Sequence, residues 1–242
     1  MRDQDPDQDA PTAGNIARVS QPSFKSAARQ QESILSPLEK RTLAWLARRM
    51  PPWINSDHLT TLGFLGMIMA GVCYALARWN PYAMLGAVVC LAINWFGDSL
   101  DGTLARYRNH QRPRYGFYVD HMVDSFGAIF LIGGLAVSGY MSGTIAMLLL
   151  IAYFLLSIEL YLATYTVGVF RLSFSIWGPT ELRIVLAIGT FVLLVKPVVT
   201  IAGRQYLLCD VSGVVAIAGI TIIAIISTIR NTLKLYREER IP

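Results

Sequence analysis

The sequence predicts an all-α integral membrane protein: six transmembrane helices, preceded by an N-terminal amphipathic interfacial helix on the cytoplasmic surface. Three observations lead there. Hydrophobic residues make up 54% of the 242 and charged residues only 15%, where a soluble domain carries about a quarter charged residues; the mean hydropathy is +0.45. The apolar residues gather into runs close to the roughly 20 needed to cross a bilayer. The basic residues are one-sided. With the N-terminus inside, all 21 Lys and Arg except Arg78, Lys196 and Arg204 fall in cytoplasmic segments, as the positive-inside rule expects.

Residues 1–35 are rich in Asp, Gln, Ser and Pro, too poor in apolar groups to support a core, and are expected to be disordered. They hold acids and lack an apolar centre, so no cleavable signal peptide is expected. Order begins at Ser36-Pro37-Leu38-Glu39, where a serine cap, a first-turn proline and a glutamate three residues on read as a capping box. The helix over 36–50 sets Leu38, Thr42, Trp45 and Leu46 on one face against Lys40, Arg41, Arg48 and Arg49, the pattern of a helix lying on a membrane. Pro51-Pro52 ends it. A six-helix transmembrane domain spans 51–230, with helices near 58–78, 82–105, 116–138, 143–168, 182–202 and 211–229, and a basic cytoplasmic tail follows at 231–242. The run from Arg230 to Arg240 reads as a solvated face drawn to anionic lipid.

The composition excludes several classes. A net charge of +5 without a basic stripe interleaved with aromatics suits an anionic leaflet and not nucleic acid. Cys73, Cys90 and Cys209 fit no zinc spacing and read as packing residues. The halves show no repeat of the kind that builds inverted-topology transporters.

Acids inside lipid-facing helices cost at least about 2.5–3.5 kcal/mol each near the bilayer centre, yet a cluster is present. Asp98 and Asp101 close the second span, and Asp120 and Asp124 lie in the cytoplasmic half of the third. Spacings of three and four put each pair on one helix face. The short loop from Tyr107 to about Tyr115 lets the faces converge. Four carboxylates cannot all stay ionised in a low dielectric without counter-charge. Two divalent ions, Mg2+ or Mn2+, would balance them with oxygen ligands and would clamp a phosphoryl group. Gly102, Ala105 and Gly116 leave room for a ligand against the backbone, or serve only close helix packing; Arg106 adds positive charge at phosphates.

The stretch Asp98-Ser99-Leu100-Asp101-Gly102-Thr103-Leu104-Ala105-Arg106, nine residues, then Gly116-Phe117-Tyr118-Val119-Asp120-His121-Met122-Val123-Asp124 resembles the signature of the CDP-alcohol phosphotransferase (CDP-alcohol phosphatidyltransferase) family, D-x-x-D-G-x-x-A-R followed by G-x-x-x-D-x-x-x-D. All eight fixed positions are met. The resemblance implies Asp98, Asp101, Asp120 and Asp124 as metal ligands, with Asp124 also the general base. It implies nucleotide binding at Gly102, Ala105, Arg106 and Gly116, attack of an alcohol on a CDP-linked donor with release of CMP, and a possible homodimer. The first span opens Ser56-Asp57-His58-Leu59-Thr60, where the family often has Pro-Asn-x-[Leu/Ile]-Thr, so nucleotide contact at that edge departs from the pattern.

Two donor schemes fit. CDP-diacylglycerol gives its phosphatidyl group to a small polar alcohol, the scheme preferred here; alternatively CDP-ethanolamine or CDP-choline gives its head group to diacylglycerol. A divalent-cation transporter is the alternative of another class. Glu159 either orients the acceptor or pairs with a polar group on a neighbouring helix. Arg171 and Arg183 flank the fourth-to-fifth loop and either bind a phosphorylated acceptor or anchor the interface. Arg108 and Arg112 read as topology-setting charges, and His121 as packing beside Asp120. The expected setting is a bacterial cell (inner) membrane, with the active site and both termini cytoplasmic.

Overall fold

A computed structural model describes residues 28–30, 36–167, 169–171 and 178–239. The chain runs β1 (Ala28–Gln30), α1 (Ser36–Arg49), α2 (Ser56–Leu76), α3 (Ala83–Tyr107), α4 (Pro113–Ser138), α5 (Gly143–Val167), β2 (Val169–Arg171), α6 (Pro179–Val195), β3 (Val198–Ile201), β4 (Arg204–Leu207) and α7 (Leu208–Glu238). It is an all-α membrane protein. Among the described residues, α2, α3, α4, α5 and α7 are long and apolar enough to cross a bilayer.

Local chemistry explains the helix boundaries. Asn55 caps α2: its Oδ1 accepts from the His58 N–H at 3.4 Å, and the Asn55 N–H donates to His58 Nδ1 at 3.4 Å, a reciprocal capping box. Pro113 opens α4 and Gly139, at φ 82°, closes it in the left-handed region, where a side chain would be strained. Pro179 opens α6, and the Gly178 N–H donates to Glu181 Oε2 at 3.0 Å.

Three expectations need correction. The apolar run 182–202 is not one helix: α6 stops at Val195, and 198–207 form an antiparallel hairpin. Pro197 has no N–H to continue the helix and biases Lys196 away from helical torsions. Val198, Val199 and Ile201 favour a strand. Ala202 and Gly203, both at positive φ, make the tight turn whose twist matches the paired strands. At 17 residues, α6 is about 25 Å long, short of the roughly 30 Å hydrocarbon core. Second, the last helix, expected over 211–229, is longer: α7 runs to Glu238 as one 31-residue helix and includes the basic segment after Arg230. Third, within 1–35 the triplet Ala28–Gln30 forms a strand parallel to Val169–Arg171; the rest of that stretch lies outside the described residues.

The core of the bundle is α2 sandwiched between α3 and α4. Small residues bring these helices together. A methyl group at Gly97 of α3 would lie 2.5 Å from the Leu59 carbonyl oxygen of α2, and one at Gly66 would lie 2.9 Å from the Asn94 N. Gly71 of α2 and Gly134 of α4 meet backbone to backbone. Tyr74, Met84, Ala87 and Leu91 fill the centre, and the Tyr74 hydroxyl bonds Thr190 Oγ1 of α6 at 2.6 Å.

α1 presents two apolar stripes. Leu43 and Ala47 are buried against Leu59, Leu100 and Leu104, which fastens the helix to α2 and α3. Leu38 and Trp45, on the face read as membrane-facing, remain exposed, and the Arg49 guanidinium lies 3.9 Å from the Trp45 ring.

Candidate active site

Where α3 ends and α4 begins, the half-buried Asp98, Asp120 and Asp124 each turn a carboxylate oxygen inward, all within 4.8 Å of one another. Helical spacing places Asp120 and Asp124 one turn apart, and the short connection at 108–112 brings α4 back beside Asp98. Asp101, the fourth acid, is held from the side. Its Oδ2 accepts from Thr60 Oγ1 of α2 at 2.6 Å, and its Oδ1 accepts from the Gly102 N–H. The structure therefore gathers three of the four carboxylates and braces the fourth against α2.

The donor set suits a hard divalent cation. Asp98, Asp120 and Asp124 would offer it carboxylate oxygens, the ligands such an ion prefers. Three acids in one half-buried group also need positive charge. Arg183 of α6 supplies part of it: its Nη2 stands 2.6 Å from Asp98 Oδ2, and its Nε donates to Asn94 Oδ1 at 2.7 Å. Asn94, 3% exposed, is itself fixed by donating to the Gly63 carbonyl oxygen at 3.0 Å. Arg183 is thus at the carboxylates and not at a distant interface.

The remaining expected residues divide. The Arg106 guanidinium lies over Gly102, where a methyl group would meet its Nη1 at 3.4 Å, and its Nη2 donates to Thr103 Oγ1 at 3.1 Å. A methyl group at Gly116 would meet nothing within 4 Å, so no helix contact demands glycine there. Ala105 lines a cleft of about 340 Å³ together with Asn55, Ser56, Asp57, Arg108 and Arg112, a volume in the range of small-molecule sites. Glu159 is drawn to α7: its Oε1 accepts from Ser227 at 2.9 Å and Asn231 at 2.7 Å. Of its two alternatives, pairing with a neighbouring helix is the one observed. The Arg171 backbone lies in β2, and its side chain lies outside the described residues.

Arg108 and Arg112 do more than set topology. Arg108 donates to the carbonyl oxygens of Met50, Pro51, Pro52 and Ile54, clamping the turn between α1 and α2. Arg112 pairs with Asp57 and stands 4.2 Å from the Tyr115 ring. His121 packs as expected, stacked on Phe117 at 4.2 Å and 4.7 Å from Tyr161 of α5.

Sequence reasoning missed Asn94, Glu39 as a tertiary ligand, and the stripe Tyr153, Ser157 and Tyr161. Those three recur every four residues on α5, and the Tyr161 ring lies 4.7 Å from His121 and 6.5 Å from Phe117 of α4. A polar stripe within an apolar run was the available signal.

The CDP-alcohol phosphatidyltransferase family model matches residues 53–229, the greater part of the chain. A cholinephosphotransferase of Gallus gallus is 29% identical over 125 residues, 49% of this chain and 36% of that protein. An archaetidylinositol phosphate synthase of Pyrococcus horikoshii is 29% identical over 126 residues, 51% of this chain and 61% of that protein. The chain thus matches only part of the length of either relative. A membrane bundle with aspartates gathered at the α3–α4 turn and a family match across all its spans leads to one assignment: the chain belongs to the CDP-alcohol phosphatidyltransferase family.

Proposed function

We propose that the protein is a phospholipid-synthesis transferase that moves a phosphatidyl group from CDP-diacylglycerol to a small polar alcohol, releasing CMP. The observation that carries this reading is the convergence of the carboxylates of Asp98, Asp120 and Asp124. Membrane lipids surround the site, and the donor reaches it from the bilayer.

Asp98, Asp101, Asp120 and Asp124 are the residues that would hold two divalent ions, Mg2+ or Mn2+. When bound, such ions supply Lewis-acid polarisation of phosphate oxygens and neutralise charge developing there. Thr60 keeps Asp101 oriented. Asp124 accepts the proton of the acceptor hydroxyl as its oxygen forms a bond to the lipid-bearing phosphorus. The bond from that phosphorus to the CMP oxygen breaks, CMP departs with the electron pair, and the proton passes from Asp124 to solvent. Gly102, Ala105 and Gly116 let the nucleotide approach the backbone, with Arg106 beside it. Arg183 offers positive charge to an anionic group on the acceptor or donor, and Arg171 is proposed for the same acceptor side.

α6, whose 17 residues stand at the lower end of the roughly 17–25 that cross a bilayer, serves as the sixth span, with the β3–β4 hairpin at the interface. Both termini and the site face the cytoplasm of a bacterial cell whose inner membrane holds the protein, as a homodimer.

Transfer of a CDP-choline or CDP-ethanolamine head group to diacylglycerol is the second reading, favoured by the similarity to a cholinephosphotransferase. Arg183 at the site favours an anionic acceptor and so the first.

CMP release by lipid-reconstituted protein tests both, with each donor offered against a panel of alcohols and with Mg2+ or Mn2+. Metal-dependent CMP from CDP-diacylglycerol and one alcohol is expected. CMP only from CDP-choline or CDP-ethanolamine selects the second reading. Metal flux without nucleotide dependence would instead mark a divalent-cation transporter.

A further inference from the structure

α6 carries Arg183 to the carboxylates, yet apolar packing on the core begins only at Leu186 in its second turn and does not hold the first. Its buried residues are Thr190 and Leu193, toward the far end, whereas Leu182, Ile184 and Val185 are exposed. Near its start, two polar contacts to the bundle lie one turn apart. Thr180 Oγ1 donates to Glu39 Oε1 at 2.6 Å, and Arg183 bonds Asn94 and Asp98. Residues three apart share a helix face, so both contacts lie on the face of α6 turned to the bundle.

Glu39 belongs to α1, and the same oxygen also accepts from Trp95 Nε1 at 3.2 Å and Ser99 Oγ at 3.3 Å. Ser99 directly follows Asp98. One carboxylate oxygen therefore ties three helices, and α1 is independently fixed to α3 by Leu43 and Ala47. A carboxylate acceptor makes bonds roughly twice as strong as a neutral one, which suits a joint that must hold a weakly packed helix.

We infer that Glu39 is a positioning residue: by docking the first turn of α6 on α1 and α3, it sets Arg183 against Asp98 for the transfer reaction. Its catalytic consequence rests on the function proposed above, whereas its effect on α6 does not. The interfacial helix is then part of the active-site framework and not only a membrane anchor.

The full-length protein in lipid nanodiscs supplies two readouts. Glu39→Ala, which removes all three bonds of the joint, is expected to lower kcat/KM about tenfold or more. Glu39→Gln, which keeps an acceptor oxygen, is expected to stay within about threefold of wild type. If Glu39 acts through Arg183, the double variant Glu39→Ala/Arg183→Ala falls within about twofold of Arg183→Ala alone, because coupled residues are not additive. Multiplying effects would overturn the inference, as would wild-type activity in Glu39→Ala.

Amide hydrogen exchange over 179–186 gives a readout independent of catalysis. Glu39→Ala is expected to speed it about tenfold through local opening, with Glu39→Gln near wild type; unchanged exchange would also overturn the inference. Silence of the wild type in every CMP assay, with faster exchange in Glu39→Ala, would sink the proposed function and leave the docking role of Glu39 standing.

Discussion

Asp124 stands within 4.8 Å of the carboxylates of Asp98 and Asp120, with Ser125 and Tyr161 beside it. As the proposed general base it would contribute about 10²–10⁴-fold. Asp124→Asn, close in shape but unable to take a proton, is expected to lose CMP release by at least about 10²-fold while keeping its elution profile and Tm. Thr60 offers a finer probe. Its hydroxyl steadies Asp101, so Thr60→Val is expected to raise the Mn2+ concentration for half-maximal activity about tenfold, the size of one lost charge-assisted bond. Titration of Mn2+ against initial rate checks this. These acids were legible in the sequence because charge within an apolar run has few explanations. Thr60's partner was not, since 41 residues separate it from Asp101.

Helices meet at glycines, and two of them separate packing from function. Gly97→Ala drives a methyl group into the Leu59 carbonyl oxygen of α2. Overpacking of this kind costs about 1–3 kcal/mol, so Tm in detergent is expected to fall by several degrees. Gly116→Ala meets open space and is a better helix former by roughly 0.8–1 kcal/mol. It is expected to keep or raise Tm while losing activity if the nucleotide approaches there as proposed; equal Tm and full activity would remove Gly116 from the proposed binding site. At the α5–α7 contact, Glu159→Gln keeps an acceptor for Ser227 and Asn231, whereas Glu159→Leu leaves them only their mutual 3.4 Å bond. Lower Tm in Leu than in Gln, with CMP release altered no more than folding requires, is the expected pattern. Helix starts such as Asn55 and Pro113 depend on a few neighbouring residues and lie close to where apolar periodicity puts them. The fifth run misled because 182–202 stays apolar straight through Pro197, so hydropathy alone does not register the break into α6 and the hairpin.

For the whole molecule, the proposed topology sets Lys196 and Arg204 on the side opposite the carboxylates. A cysteine at Arg204, in a variant lacking Cys73, Cys90 and Cys209, is expected to react with an impermeant maleimide from outside intact cells, whereas one at Arg112 is not. Reaction at both positions or at neither would contradict the orientation. Chelation by EDTA is expected to abolish CMP release reversibly, with Mg2+ or Mn2+ restoring it.

Composition, the apolar runs and the eight motif positions determined by themselves that the chain lives in lipid, is helical, and gathers acids at one turn. Each of those properties is carried by residues near one another along the chain. Only the tertiary structure decided that Arg183 meets Asp98 across 85 residues, that Glu159 turns to α7, and that Glu39 joins α1, α3 and α6 at one oxygen. Those partners come from different helices, and which faces meet depends on how closely glycine contacts let the backbones approach, a property of the packed bundle and not of any one segment.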